Sequence, residues 1–220
     1  MIFQRLNFPE KIILIIVLLV LVTGFTLFYT DLSSFEWFVK EDSLVEWLTV
    51  SGLLLGSVIC FTRFFTLFNK KGWWFLTVNF ALGLLLFIAA GEEISWGQRI
   101  LEIESSDYFQ KNNAQGETNL HNLVVNGVKI NKLIFTTVLG SALIIYLILL
   151  PILYHKKRGI KILVDKSGIP VPRLYQIIGF VIVSSITVLL PHEKNPELLE
   201  CGAALLFFLI ILYPENRDSF

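Results

Sequence analysis

Most side chains that could do chemistry lie in one polar stretch of the sequence. Residues 91–122 read GEEISWGQRILEIESSDYFQKNNAQGETNLHN and directly follow an apolar run. Adjacent carboxylates at the edge of a membrane span must be paired, hydrated or neutralised, because an isolated charge near lipid is costly. Glu92 and Glu93 therefore either mark the end of a helix or belong to a functional site. The sequence leaves both interpretations open.

The spacing predicts different surroundings for these two glutamates. On a helix that continues past them, Glu92 shares a face with Arg99 and can pair with it. Glu93 shares a face with Gly83 and Ala90, whose small size indicates packing against another helix. A buried carboxyl group is a usable general acid or base. The predicted catalytic residues are Glu92, Glu93, Arg99 and one histidine, His121.

Glu117 and His121 are four residues apart, so a helix starting near Thr118 would bring them together. Glutamate and histidine side chains bind first-row transition metals, and zinc is the default ion for a hydrolase. The predicted metal ligands are Glu117, His121 and His192, and whether the two histidines converge is left open. Five amide side chains within residues 112–122 indicate an ordered loop, with a solvated loop as the alternative.

The rest of the chain predicts helices that cross a membrane. It is 55% hydrophobic and 16% charged, with a mean hydropathy of +0.69. Several apolar runs reach the roughly 20 residues that a hydrocarbon core of about 30 Å requires. We predict an all-α, polytopic membrane helical bundle that forms a single integral domain over residues 1–220. The six predicted spans, the first of them uncleaved, are 12–29, 44–65, 73–91, 130–154, 174–190 and 198–213.

Other local signals indicate how these spans pack and connect. Gly52 and Gly56 stand at the spacing that lets a neighbouring helix approach closely. The long loop over residues 92–129 is predicted to contain an interfacial helix. The basic, glycine- and proline-containing residues 155–173 predict a loop.

The charged residues predict how the bundle is oriented in its membrane. Twelve of the 18 lysines and arginines fall on the side of the termini, whereas 14 of the 18 acids fall on the opposite side. Because basic residues favour the cytoplasm, both termini are expected there. Residues 91–122 are then expected to face the periplasm or the cell exterior.

The strings GEEISWGQRI and QGETNLHNL resemble the core of an uncharacterised family of bacterial multi-pass membrane proteins. The resemblance covers the middle of the chain. It implies a location in the bacterial plasma membrane and brings no activity with it.

The same residues are also similar to those of the glutamate-type membrane proteases that process CAAX proteins or protect against bacteriocins. That family carries a glutamate pair, a histidine on a later helix, and then a histidine with an asparagine one turn on. The matching positions here are Glu92 with Glu93, then His121, then His192 with Asn195. The resemblance implies that a glutamate and a histidine activate water while the later pair stabilises an oxyanion.

This sequence departs from the protease pattern at several positions. Arg99 comes two residues later than the family's basic residue, and Glu117 occupies the place of a phenylalanine four residues before His121. Asn195 lies three rather than four residues after His192. The protease site also opens to the cytoplasm, whereas the charge bias places these residues outside.

Three functions follow as hypotheses. The first is a membrane-embedded hydrolase, in which water activated by a carboxylate or by a metal attacks an amide or ester of a lipid or lipoprotein. Glu93 would be the base, His121 a ligand or acid, and Arg99 an anion stabiliser. The second is a transporter or ion-coupled carrier with Asn79 and Glu93 along its pathway. The third is an accessory subunit that docks a protein partner through the outer loop. Membrane lipid is an expected partner in all three, and the net charge of zero indicates no nucleic acid.

Overall fold

A computed structural model describes residues 6–120, 122–125, 128–129 and 140–220. Within these residues the chain is helical apart from turns, loops and one short hairpin. The helices are α1 (Phe8–Thr30), α2 (Leu32–Phe38), α3 (Leu44–Thr66), α4 (Trp73–Glu93), α5 (Asp107–Asn112), α6 (Gly140–Lys156), α7 (Arg158–Ser167), α8 (Leu174–Val188) and α9 (Asn195–Leu212). The predicted all-α class is confirmed.

The last long helix, α9, is the centre of the bundle. Its buried side chains extend from Leu198 to Ile211, and it packs against α1, α3 and α8. Two glycines of α3 allow its close contact with α9. A Cβ atom on Gly52 would lie 3.1 Å from the carbonyl carbon of Ala204, and one on Gly56 would lie 3.2 Å from Ile211. The close helix approach that these glycines predict is therefore confirmed.

Four helices are long and apolar enough to cross a membrane, namely α1, α3, α4 and α9. Each begins and ends within four residues of a predicted span. Helices α6 and α8 are apolar but shorter. Residues 130–139 of the predicted fourth span lie outside the described residues, so the count of six spans stays a prediction.

The described part of residues 92–129 differs from the predicted interfacial helix. A 3-10 turn (Ser95–Gly97) follows α4, α5 comes next, and strands β1 (Val124–Val125) and β2 (Val128–Lys129) form an antiparallel pair. The predicted helix starting near Thr118 is wrong, because residues 118–120 are not helical. The overlooked signal is an Asn–Gly dipeptide between β-branched valines, which favours a hairpin.

Residues 155–173 differ from prediction too, because they contain α7 rather than only a loop. Ile160 and Val164, four residues apart, turn the same way and pack around Tyr154 and Val171. The helix ends at Gly168, whose φ of 69° is the left-handed conformation typical of a helix end. Glycine and proline residues in this segment mark where a helix ends, and they do not exclude a helix between them.

Buried charged and polar groups gather at opposite ends of the bundle. We call the end that holds Glu46, Glu93 and Glu197 the acidic end; there α3 begins, α4 ends and α9 begins. The basic end holds Arg63 and Arg173, close to the last turn of α9 and the first turn of α1 respectively. Exposed tryptophans occur at both ends, as expected for two membrane interfaces: Trp37, Trp47 and Trp96 at the acidic end, and Trp73 and Trp74 at the basic end.

Candidate functional site

Arg99 is the centre of an ion-pair cluster at the acidic end. Its side chain is 18% exposed and pairs with Asp42 at 3.3 Å, with Glu117 at 2.9 Å and with Glu46 in the first turn of α3. Glu41 lies 4.0 Å away at the margin. Burial by itself would lower the pKa of Arg99, but hydrogen bonding to Glu117 and the nearby carboxylate charges raise it. The guanidinium therefore stays charged and joins three separate parts of the chain.

A left-handed turn after α4 directs these side chains inward. Ser95, Trp96 and Gly97 have φ values of 47°, 56° and 77°, a region that residues with a Cβ disfavour. Since α4 ends before this turn, the predicted helical face shared by Glu92 and Arg99 is wrong, and so is their predicted pairing. Glu92 instead accepts a hydrogen bond from Trp96 Nε1 at 2.8 Å. Backbone strain of this kind persists only where its surroundings hold it.

A buried hydrogen-bond network holds the polar stretch against this turn. Ser95 donates to Glu117, and Asn119 Nδ2 donates to Ser95 Oγ at 2.7 Å. Asn113 Nδ2 in turn donates to both oxygens of Asn119, backbone and side chain, at 2.9 Å. The two asparagines are 7% and 3% exposed. The hydrogen-bonded loop that the amide density predicts is present at Asn113 and Asn119, whereas Gln115 is exposed to solvent.

A small cavity of about 50 Å³ lies between this network and the helix ends. A volume of this size has room for a few water molecules. Seven carboxylates and a single guanidinium are among the described side chains around it. The lining residues are Glu41, Glu46, Glu92, Glu93, Arg99, Gln115, Glu117, Asn119, Asn122, Glu197 and Glu200.

The cavity has a paired side and an unpaired side. On the paired side, Glu46 and Glu117 bind Arg99. On the unpaired side, Glu93 of α4 faces Glu197 and Glu200 of α9. Among the described residues, none of these three carboxylates forms an ion pair or accepts a hydrogen bond. We call Glu93, Glu197 and Glu200 the carboxylate triad.

The helices that carry the triad impose opposite fields on it. Glu197 stands in the first turn of α9, where the positive end of the helix dipole stabilises negative charge, and Glu200 lies one turn further along. Glu93 is the last residue of α4, where the negative end of the dipole opposes it. The dipole of α4 therefore opposes a negative charge on Glu93, whereas the dipole of α9 favours one at its first turn.

The face of α4 that carries Glu93 packs against α3, as its small residues predict. Ala90 is 1% exposed, and a Cβ atom on Gly83 would lie 3.2 Å from Cys60 Cβ. Ser57 Oγ donates to the Gly83 carbonyl at 2.8 Å, which fixes the two helices side by side. Glu93 is therefore held on a rigid pair of helices and not on a flexible loop.

His192 lies away from the described lining of this cavity. Its ring packs edge-on against Phe35, and Nε2 is 3.3 Å from Glu36. Asn195 donates to the carbonyls of Thr187 and Leu190, so it completes the end of α8. Neither side chain is among the described residues that line the cavity, and the role that the protease resemblance implies for them stays a prediction.

The predicted metal ligands are only partly described. Glu117 binds Arg99, His192 binds elsewhere, and His121 lies outside the described residues. Over the described ranges no group of three histidine, cysteine, aspartate or glutamate side chains is arranged to hold a metal ion. Zinc at Glu117, His121 and His192 stays a prediction.

Sequence reasoning missed part of this site. Because Glu46, Glu92, Glu93 and Glu200 each start or end a span on the same side, the sequence predicts that they share a level, and they do line one cavity. The structure adds Glu197 beside Glu200. Their separation by three residues on one helix face was an available signal. Ser95 carried no such signal, because its role depends on the left-handed turn.

The chain was compared with protein-family models, with curated proteins and with solved structures, and none of them matches it. Long apolar helices alone support its assignment as an integral, multi-pass membrane protein. The two resemblances drawn from sequence motifs stay predictions.

Proposed function

We propose that this membrane protein binds a small cation at the acidic end of its bundle, with the carboxylate triad as the contacting groups. The observation that supports this is the unpaired side of the cavity: three carboxylates from two helices face one water-sized space without a described cationic partner. The charge bias of the loops favours placing this end outside the cell.

Electrostatic repulsion is the physical reason to expect a ligand. Two like unit charges about 5 Å apart repel by about 3 kcal/mol at an effective dielectric constant of about 20. Arg99 reduces this repulsion only partly, because its guanidinium already forms ion pairs with Asp42, Glu46 and Glu117. A bound cation, or protons shared within the triad, removes the repulsion.

A primary ammonium group is the cation whose chemistry fits best. It donates three hydrogen bonds, and the triad offers three carboxylate acceptors. A divalent metal ion needs several ligand atoms that converge on one position, and the described carboxylates do not converge in that way. The cavity of about 50 Å³ admits only the ammonium head of a ligand, not a large body.

Thermal unfolding of the purified protein in nanodiscs tests this proposal. Methylammonium should raise the unfolding temperature in a saturable way, because a ligand that binds only the folded state stabilises it. Tetramethylammonium, which has no N–H group, should not. Either Glu93→Gln or Glu200→Gln should abolish the response, whereas the exposed Glu193→Gln should retain it. An equal response to both cations, or an unchanged response in the triad variants, would contradict the proposal.

A glutamate-dependent hydrolase is the second candidate. The observation that favours it is an unpaired carboxylate, Glu93, beside a cavity that admits water. Glu93 would activate that water against a lipid amide or ester. Arg99 no longer fits as the anion stabiliser, since three carboxylates hold it.

Turnover of fluorogenic lipid amides and esters distinguishes the two candidates. Hydrolysis that disappears in Glu93→Ala and in His121→Ala, at unchanged expression, would favour the enzyme. Absence of turnover together with methylammonium binding would favour the binding protein.

The carrier hypothesis receives less support from the geometry. Asn79 donates to the Phe75 carbonyl at 2.9 Å, fourteen residues before Glu93 on the same helix. At a rise of 1.5 Å per residue the two side chains are about 21 Å apart along α4. Asn79 therefore does not line the cavity, and a carrier would need a pathway between the two.

A further inference from the structure

The segment at the end of α6 and along α7 carries a dense group of exposed cations. Within the described residues none of them forms an ion pair. The single acid among them, Asp165, accepts a hydrogen bond from Tyr154 Oη at 2.9 Å and faces the bundle. The exposed cations, which we call the α7 cations, are Lys156, Lys157, Arg158, Lys161 and Lys166.

Helix α7 also exposes apolar side chains beside these cations. Val164 is 3% exposed and attaches the helix to the bundle, whereas Ile162 and Leu163 are 56% and 62% exposed. Basic and aliphatic side chains on the outer face of a short helix are typical of a helix that lies in the membrane interface.

The ends of α7 fix its depth. Only Lys157 separates it from α6, so it starts where an apolar helix ends. At its other end, Gly168 packs so closely on α4 that a Cβ atom there would lie 2.5 Å from Phe75. The neighbouring Trp73 and Trp74 are 73% and 70% exposed, as expected at the headgroup level.

We infer that α7 binds anionic phospholipid headgroups in the leaflet at the basic end. The α7 cations supply the positive charge that phosphodiesters require, and Ile162 and Leu163 enter the boundary of the acyl chains. Charge complementarity selects this occupant over zwitterionic lipid. The inference does not depend on the cavity at the opposite end.

Native mass spectrometry of the full chain tests the lipid preference. The protein is extracted from nanodiscs made of equal parts of phosphatidylcholine and phosphatidylglycerol. Phosphatidylglycerol should be enriched by about threefold or more among the retained lipids, since each basic residue near the surface attracts anionic lipid. The triple variant Arg158→Gln, Lys161→Gln, Lys166→Gln should retain the two lipids in nearly equal amounts.

A matched variant removes the same charge elsewhere. Lys40→Gln, Lys111→Gln and Lys194→Gln alter three lysines at the acidic end, away from the leaflet that α7 contacts, and should leave the enrichment unchanged. Equal loss in both triple variants would show a net-charge effect and overturn the inference. Unchanged enrichment in the α7 triple variant would do so too.

A label on α7 tests its depth independently. Both native cysteines, Cys60 and Cys201, are 0% exposed, so Leu163→Cys provides a single accessible thiol among the described residues. An environment-sensitive fluorophore there should report an apolar surrounding in nanodiscs that contain phosphatidylglycerol. A fully aqueous signal would overturn the placement of α7 in the interface.

Discussion

The two ends of the bundle solve the problem of buried charge in different ways. At the basic end, cations are used to tie the chain to itself. Arg63 donates to the Ile211 carbonyl at 2.6 Å, in the last turn of α9, and lies 3.9 Å from the Phe220 ring. Arg173 lies 3.3 Å from Glu10. The negative end of the α9 dipole favours such a cation.

At the acidic end, some carboxylates have no ion-pair partner among the described residues. Arg99 pairs with Glu46 and Glu117, and the carboxylate triad forms no ion pair with a described cation, although Lys194 and Arg99 act on it at longer range. The basic end is not fully satisfied either, because Nη1 of Arg63 and Nε of Arg173 are buried without a described hydrogen-bond partner. The two ends therefore differ in the sign of what they leave unpaired: N–H donors at the basic end and carboxylates at the acidic end. This difference in sign is the reason to propose a cation as the ligand of the acidic end.

Removal of Arg99 should produce the largest effect of any single change. Arg99→Ala removes the cation that buried Glu46 and Glu117 share, and breaking a buried ion pair from one side costs about 3–5 kcal/mol. Arg173→Ala should cost less, because Arg173 pairs with one carboxylate, Glu10, whereas Arg99 pairs with several. Denaturation in detergent micelles measures both.

A comparison with lysine sharpens this prediction. Arg99→Lys keeps the charge but loses the fork that reaches several carboxylates, so it should recover only part of the loss. Equal stability of Arg99→Ala and Arg173→Ala would remove the contrast between the two ends.

Much of the fold could be predicted from the sequence. The long apolar runs gave α1, α3, α4 and α9, because a membrane span is a local property of about 20 residues. The packing at Gly52 also follows from local spacing. Helix α7 was missed because its pattern covers barely three turns between glycines.

The site was less accessible to sequence reasoning. Glu92 and Arg99 were assigned to one helical face, but positive φ values at Ser95 and Trp96 end the helix there. Such values are rare for these residue types, so no local pattern predicts them. The partners of Arg99 then come from α3 and from the polar stretch, which are distant in sequence.

Two glycines in the left-handed conformation offer a matched pair of changes, one at each end. Gly168→Ala at the basic end meets Phe75 as well as an unfavourable φ of 69°, and should cost about 3 kcal/mol. Gly97→Ala at the acidic end has a φ of 77° but nothing within 4 Å of its Cβ, and should cost about 1 kcal/mol. Denaturation of both variants measures the difference, and a reversed order would mean that the turn after α4 tolerates a side chain less well than the end of α7 does.

Neutralising one glutamate at each end should change stability in opposite directions. Glu10→Gln removes the charge that Arg173 needs at a fully buried position, and should destabilise by about 1–3 kcal/mol. Glu200→Gln relieves repulsion within the carboxylate triad and should stabilise the ligand-free protein by up to about 1 kcal/mol. Unfolding temperatures without added amines measure both. Destabilisation by Glu200→Gln would mean that the triad is satisfied without a ligand.

The smallest expected effect concerns Asp31, an exposed acid at the same end of the bundle as the cavity. Asp31 accepts hydrogen bonds from Ser34 and Ser33 at the start of α2, and these lower its pKa below the ordinary value of 3.8. The unfolded chain therefore binds a proton more readily than the folded one, so this contribution is present above pH 3.8 and is lost as pH falls through the folded pKa. Asp31→Asn keeps an acceptor but cannot ionise. The stability difference between the wild type and this variant should stay constant above about pH 5 and shrink in more acidic solution. Paired unfolding temperatures across that range measure it, and a difference independent of pH would show that Asp31 contributes through its shape and not through its charge.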